Sequence, residues 1–145
     1  MKYIIQLTVF NSRIGALLQS NHFPTSDIEA GTDVSLFFPG SEQQPLGVIG
    51  IQVFGPSALL RSLAVFKAER GKGLGAALVH HAEQQAISVG VRSIYLLTTS
   101  AEKFFEARGY ALINRNKAPA SIAGTRQFSG LCPSSSAFMV KVLCA

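Results

Sequence analysis

Apolar residues run almost unbroken from Tyr3 to Phe10, with β-branched and aromatic side chains enriched, and stop at Asn11 and Ser12. A run of that length and make-up predicts a strand, and either polar residue behind it can cap a helix by accepting from a first-turn amide. From there Ile14, Leu17 and Leu18 repeat at helical spacing as far as Phe23-Pro24, which predicts a short amphipathic helix. Pro24 to Asp27 predicts a turn or a single helical turn, with Thr25 or Ser26 as its cap. Three extended segments follow: Asp33 to Phe38, closed by Pro39-Gly40; Leu46 to Phe54, closed by Gly55-Pro56; and Ala58 to Phe66. Turn residues at such short separations predict antiparallel neighbours. In the third segment strict alternation puts Leu59, Arg61, Leu63 and Val65 on one face and Leu60, Ser62 and Ala64 on the other.

Beyond Phe66 the period changes. Leu74, Leu78, Ala82, Ala86 and Val89 form one stripe of a helix expected from about Gly73 to Val89, with Gly90 as its C-terminal cap. Ser93 to Thr99 reads as a strand ending in hydroxyls. Ser100 is a candidate cap for a helix over Ala101 to Ala107, stopped near Gly109. Tyr110 to Ile113 predicts another strand. Lys117 to Gly130, broken by Pro119 and Gly124, is irregular or holds one short helix, and Ser136 to Leu143 is the closing strand. This order predicts a mixed α/β chain, a single domain over residues 1–145, with one central, mostly antiparallel sheet and helices on both its faces.

Composition narrows the class. Of 145 residues, 48% are hydrophobic and 14% charged, which supports a packed core and excludes a disordered or low-complexity chain. Two cysteines, Cys132 and Cys144, allow at most one disulfide, so a secreted cysteine framework is excluded and a cytoplasmic chain with reduced thiols is expected. No stretch approaches the ~20 apolar residues of a membrane span, so no membrane role is expected. The net charge of +5 favours an anionic partner. Because the basic residues are scattered singly, a phosphorylated small molecule is favoured over nucleic acid.

The strongest local signal is Arg70-Gly71-Lys72-Gly73-Leu74-Gly75, between an apolar strand and the longest helix. Alternate glycines let the main chain approach a ligand closely, and their N–H groups converge with the first turn of the helix. The helix dipole adds about half a positive charge there, and Arg70 and Lys72 add more, so a pyrophosphate fits. A nucleoside-triphosphate loop is disfavoured because Ala76 and Ala77 follow Gly75 where Lys and Ser/Thr are needed. The dinucleotide fingerprint fails too, lacking its third glycine and its acidic strand end. The plainer alternative is a tight strand-to-helix turn.

With Leu63-Ala64-Val65 before it, this stretch resembles the Gln/Arg-x-x-Gly-x-Gly/Ala acetyl-CoA motif of the GNAT superfamily of N-acetyltransferases. Ala101 to Tyr110 resembles that family's second helix-to-strand motif. Leu60 to Val65, Phe104-Phe105, Pro119 to Thr125, Phe128, Leu131-Cys132-Pro133 and Met139 are similar to the small arsenic-resistance-associated N-acetyltransferases. The resemblance implies a splayed pair of parallel strands, Ala58 to Phe66 and Ser93 to Thr99, with the pantetheine arm of acetyl-CoA between them. Main-chain groups of Leu63, Ala64 and Val65 would bind that arm, Arg70 to Gly75 the pyrophosphate, and Thr98, Phe104 and Phe105 would add contacts. The acetyl group would pass to a primary amine of a small molecule by direct attack near Leu63, with no metal. Phe105 departs from the pattern, because the family places there a Tyr that protonates the thiolate. Tyr110 reads as packing; water, Cys132 or Ser134 remain as proton sources, or no acid is needed because the coenzyme thiolate is already a fair leaving group. No carboxylate stands out as a base among Asp27, Glu29 and Glu42. The missing tyrosine motivates a rival reading, a non-catalytic acyl-CoA-binding or regulatory module.

Other residues carry weaker signals. Arg61, mid-strand on an apolar face, needs a protein carboxylate or the acid of an acceptor. His80 and His81 diverge by ~100° around a helix and cannot share a metal, and His81 on the apolar face reads as a packed histidine. His22 is a candidate acceptor contact. Thr98, Thr99 and Ser100 either cap the next helix or touch the coenzyme. The closing strand, Ala137 to Leu143, is a candidate for pairing across a homodimer.

Overall fold

The computed structural model describes residues 4–8, 11–20, 34–41, 43–125, 128 and 136–143. The expected turn from Pro24 to Asp27 lies outside these, as do His22, Glu29, Glu42, Cys132, Ser134 and Cys144. Seven strands form one sheet: β1 (Ile5–Thr8), β2 (Ser35–Pro39), β3 (Gly47–Phe54), β4 (Ser57–Val65), β5 (Ser93–Thr98), β6 (Ala111–Leu112) and β7 (Ala137–Val142). The helices are α1 (Ser12–Ser20), α2 (Leu74–Ser88), α3 (Glu102–Glu106) and α4 (Ala120–Ala123). Hydrogen-bonded neighbours follow the order β1-β2-β3-β4-β5-β7-β6. Pairing is antiparallel at β1–β2, β2–β3, β5–β7 and β6–β7, and parallel at β4–β5. The parallel register comprises Ser57↔Ser93, Ala58↔Ile94 and Leu59↔Tyr95, while β4 runs on to Val65 and β5 to Thr98.

The chain has two compact units. The first comprises Met1–Gln52 and Leu60–Gln85. Asn11 opens α1: its Oδ1 accepts from the N–H groups of Arg13 and Ile14, both at 3.0 Å, which satisfies two first-turn donors. The apolar side of the helix then buries Ile14, Leu17 and Leu18 against Leu36, Phe38, Val48 and Ala64. On α2 the stripe of Leu74, Leu78 and Ala82 is buried, and Val79 and Glu83 beside it are buried as well. Helix and sheet meet closely because Gly47 has no side chain: a Cβ there would stand 2.9 Å from the carbonyl oxygen of Ala64 and 3.1 Å from Leu78.

The second unit comprises Val53–Leu59 and Ala86–Ala145. Leu59, Ile122 and Phe138 are buried at its centre, with Phe54, Tyr95, Leu97, Ile113, Ala118 and Phe128 packed around them. The rings of Tyr95 and Phe138 stack at 5.7 Å, and Phe128 meets Phe138 edge-on at 5.1 Å. Gly90, with φ +90°, ends α2: its N–H donates to Ile87 O and that of Val91 to Ala86 O, the paired bonds of a left-handed helix stop.

Four expectations change. Val89 leaves the buried stripe and is 62% exposed, because the helix ends at Ser88 before the stripe completes its next turn. Ser100 does not cap α3: Ala101 holds the N-cap position with no side-chain cap bond, and Thr98 Oγ1 accepts from the N–H of Ala101 at 3.0 Å. Alternation along β4 does not hold throughout, because Ser62 has φ +60° and a left-handed residue interrupts the pleat. The closing strand is also not a free edge: β5 pairs it from Ala137 to Val142 and β6 at Met139 and Val140. Dimer pairing through β7 would have to displace β6.

Candidate coenzyme and acceptor site

The first unit brings the chemistry-bearing residues together on one stretch of chain. β4 delivers Leu60 to Val65. A single 3₁₀ turn follows at Lys67–Glu69, then Arg70 to Gly73, then α2. The turn is anchored by main-chain bonds from Phe66 N–H to Leu46 O at 2.7 Å and from Glu69 N–H to Phe66 O at 2.8 Å. Gly71 and Gly73 have φ +81° and +83°, a conformation that costs other residues about 1–2 kcal/mol each, so glycine is required. A Cβ on either would meet no atom of the described residues within 4 Å, so their backbone faces open space. Gly73 caps the helix with its carbonyl, which accepts from Ala77 N–H at 3.1 Å.

The amides of Leu74, Gly75 and Ala76 therefore belong to the first helical turn, where the ladder provides no acceptors. Fifteen residues of aligned peptide dipoles end at this point. Arg70 and Lys72 are exposed, and Lys72 Nζ lies 3.6 Å from a carboxylate oxygen of the half-buried Glu69. First-turn amides, a helix dipole and two cations are together what could hold a doubly charged phosphate group.

Just before it, Leu63 and Val65 are half-buried and Ala64 is buried. Arg61 is 5% exposed. Its Nε donates to Ser62 Oγ at 3.1 Å and its Nη1 to Gln52 Oε1 at 3.4 Å. The left-handed backbone of Ser62 is what lets adjacent side chains on one strand bond each other. Gln52 is the residue that the sequence reading missed; its signal is a lone polar side chain in the apolar run of β3. Glu69 was missed as well, its signal being an acid directly before Arg70 and three residues before Lys72.

The remaining candidates lie in the second unit and are held by local partners. Thr98 accepts from the N–H of Ala101 ahead of α3. Phe105 is buried and packs edge-on against Phe104 at 5.1 Å and Tyr110 at 5.5 Å. The guanidinium of Arg108 covers the Phe104 ring at 3.8 Å. Tyr110 is buried, and the ammonium of Lys141 stands 5.7 Å from its ring centroid. In the first unit His81 packs edge-on against Phe37 at 4.9 Å, while His80 is exposed. Burial, and secondarily the charge of His80, lowers the His81 pKa below its ordinary value. Among the described residues no group of three or more His, Cys, Asp or Glu could hold a metal ion, and no helix is long and apolar enough to cross a membrane.

The strand order, the parallel β4–β5 pair and the glycine loop ahead of α2 define a mixed α/β acyltransferase-type fold. The family model described as acetyltransferase (GNAT) family matches residues 13–110, and the chain belongs to that family. Among solved structures, N-acetylglutamate synthase from Neisseria gonorrhoeae, complexed with coenzyme A and N-acetyl-glutamate, is 17% identical with a TM-score of 0.78, over 100% of this chain and 36% of that one. The chain thus spans about a third of the synthase's length. A GNAT acetyltransferase from Staphylococcus aureus is 18% identical with a TM-score of 0.74, over 97% of this chain and 100% of that one. An aminoglycoside 6'-N-acetyltransferase complexed with coenzyme A is 16% identical with a TM-score of 0.67, over 97% and 98%. At these identities the likeness is one of fold. A comparison with curated proteins finds no match.

Proposed function

We propose that the protein is an acetyl-CoA-dependent N-acetyltransferase acting on the primary amine of a small molecule that also carries an acid group. The observation that carries the reading is the loop from Arg70 to Gly75, whose left-handed glycines face open space at the positive end of the longest helix. The diphosphate of coenzyme A supplies the anion this loop is shaped to hold. Main-chain groups of Leu63, Ala64 and Val65 then bind the pantetheine arm in the manner of an added strand. The thioester carbonyl lies at Leu63, where a backbone N–H stabilises the developing oxyanion.

The neutral amine attacks the carbonyl carbon, a C–N bond forms, the C–S bond breaks, and its electron pair leaves with the sulfur. The proton shed by the amine passes to solvent or to the thiolate. Phe105 gives no proton, so the reading relies on the coenzyme thiolate as a fair leaving group. Arg61 lies two residues before Leu63, held in orientation by Ser62 and Gln52, and its fork suits a carboxylate on the acceptor. Structural neighbours complexed with N-acetyl-glutamate and named for aminoglycosides indicate that this fold serves more than one acceptor.

We extend the proposal to the arsenic-resistance-associated branch on the strength of Leu60 to Val65, Phe104-Phe105 and Pro119 to Thr125. In that role the chain modifies an amine and does not hold the metalloid, since two cysteines are too few for a thiolate cage. A reducing cytoplasm, with both thiols reduced, suits the same cysteine count. Thiol release from acetyl-CoA, followed with a panel of amino acids and their decarboxylated counterparts, tests the reading. Release with the acids and little with the counterparts is expected. Coenzyme binding without release for any amine would establish a non-catalytic acyl-CoA-binding module instead.

A further inference from the structure

Glu69 is an acid beside an anion-binding loop, and the transfer chemistry above makes no use of it. It closes the 3₁₀ turn immediately before Arg70, and its carboxylate lies 3.6 Å from Lys72 Nζ. The two side chains differ in exposure: that of Glu69 is 18% exposed and that of Lys72 is 55% exposed. The acid is the more buried partner and the ammonium the more exposed one. Main-chain bonds hold the backbone that carries the acid, because Glu69 N–H donates to Phe66 O while Phe66 N–H donates to Leu46 O, next to the start of β3. Lys72, by contrast, stands between two left-handed glycines bordered by open space.

A carboxylate here opposes the positive field that Arg70, Lys72 and the helix end supply. We infer that Glu69 is an internal stand-in for phosphate: it holds Lys72 in the empty site, and the incoming coenzyme diphosphate takes its place as the partner of the ammonium. The inference rests on the coenzyme reading above and assigns the control of its affinity. Each binding event gives up one ion pair to gain another, so the grip on the diphosphate is weaker than the cations alone would provide. Spent coenzyme therefore leaves faster. On its departure Lys72 returns to Glu69, which keeps the ammonium beside the loop for the next molecule.

Calorimetric titration of CoA into the wild type, Glu69→Gln, Lys72→Met and the double variant tests the exchange. Exposed ion pairs are weak, so Glu69→Gln is expected to lower the Kd about three- to fivefold, through slower dissociation. The gain disappears in the Lys72→Met background and shrinks at about 0.5 M salt. A gain that persists in full without Lys72 would reduce Glu69 to simple repulsion and overturn the exchange, as would unchanged or weaker binding by Glu69→Gln. Failure of the underlying reading looks different: a wild type that gives no heat with CoA removes the coenzyme, and the exchange with it.

Discussion

Two turns of this chain pair an arginine with a glycine, Arg70-Gly71 and Arg108-Gly109, in opposite surroundings. Both glycines are left-handed, with φ +81° and +94°. At Gly71 an added Cβ meets no described atom within 4 Å; at Gly109 it meets Lys141 Cε at 3.2 Å. Arg108 lies over the Phe104 ring and donates from Nη1 to Phe104 O at 2.8 Å, while Phe105 and Tyr110 close the turn edge to edge. The first turn lies among glycines and an exposed lysine. The second is filled by aromatic rings. An Arg-Gly pair thus stands open or is locked according to the side chains beside it.

The largest effect that sharpens this contrast is at Phe105. Truncating this buried ring with Phe105→Ala is expected to cost about 3–5 kcal/mol in a urea unfolding experiment. A loss below about 1 kcal/mol would mean that the ring does not hold the second turn. Gly73→Ala and Gly109→Ala then separate the two turns directly. Each places a side chain at left-handed φ, a strain of about 1–2 kcal/mol. In Gly73→Ala the strain should appear as a roughly tenfold rise in the Kd for CoA, and in Gly109→Ala as lost stability with CoA affinity retained. The reverse pattern would exchange the roles of the turns.

Arg61→Ala should raise the KM for acid-bearing amines about tenfold while leaving CoA affinity unchanged, as expected on losing a charged hydrogen bond. Unaltered kinetics would remove Arg61 from the acceptor site. The smallest effect concerns His81. Its pKa is depressed in the folded chain, so the unfolded chain binds more protons in the window below the ordinary imidazole value, and stability rises with pH through it. The contribution is complete above that value and is lost as pH falls. The wild type should therefore lose more melting temperature than His81→Gln between about pH 7.5 and 5.5, and parallel profiles would contradict the burial effect.

Much of this was legible in the residues. The spacing of Ile14, Leu17 and Leu18 marks α1, and Asn11 accepts the cap bonds that its position suggests. Gly90 stops α2 where the stripe ends. The glycine loop could be read because its requirements are local: left-handed backbone, a helix start and adjacent cations. What escaped depends on residues distant in sequence or on backbone that departs from its period. Alternation could not be followed through Ser62, whose left-handed backbone no sequence period encodes. Gln52 meets Arg61 across nine residues of chain. The N–H of Ala101 ahead of α3 finds its acceptor on Thr98, inside a strand, although Ser100 stands closer to the helix. Glu69 carries no motif of its own, and its significance comes from the ammonium beside it.

The central claim is that the amides of the glycine loop grip the coenzyme diphosphate, and a crystal structure with CoA bound tests it most directly. The account predicts diphosphate oxygens within about 3 Å of the main-chain nitrogens from Gly71 to Ala76. Coenzyme bound elsewhere on the chain, with those nitrogens turned to solvent, would contradict it.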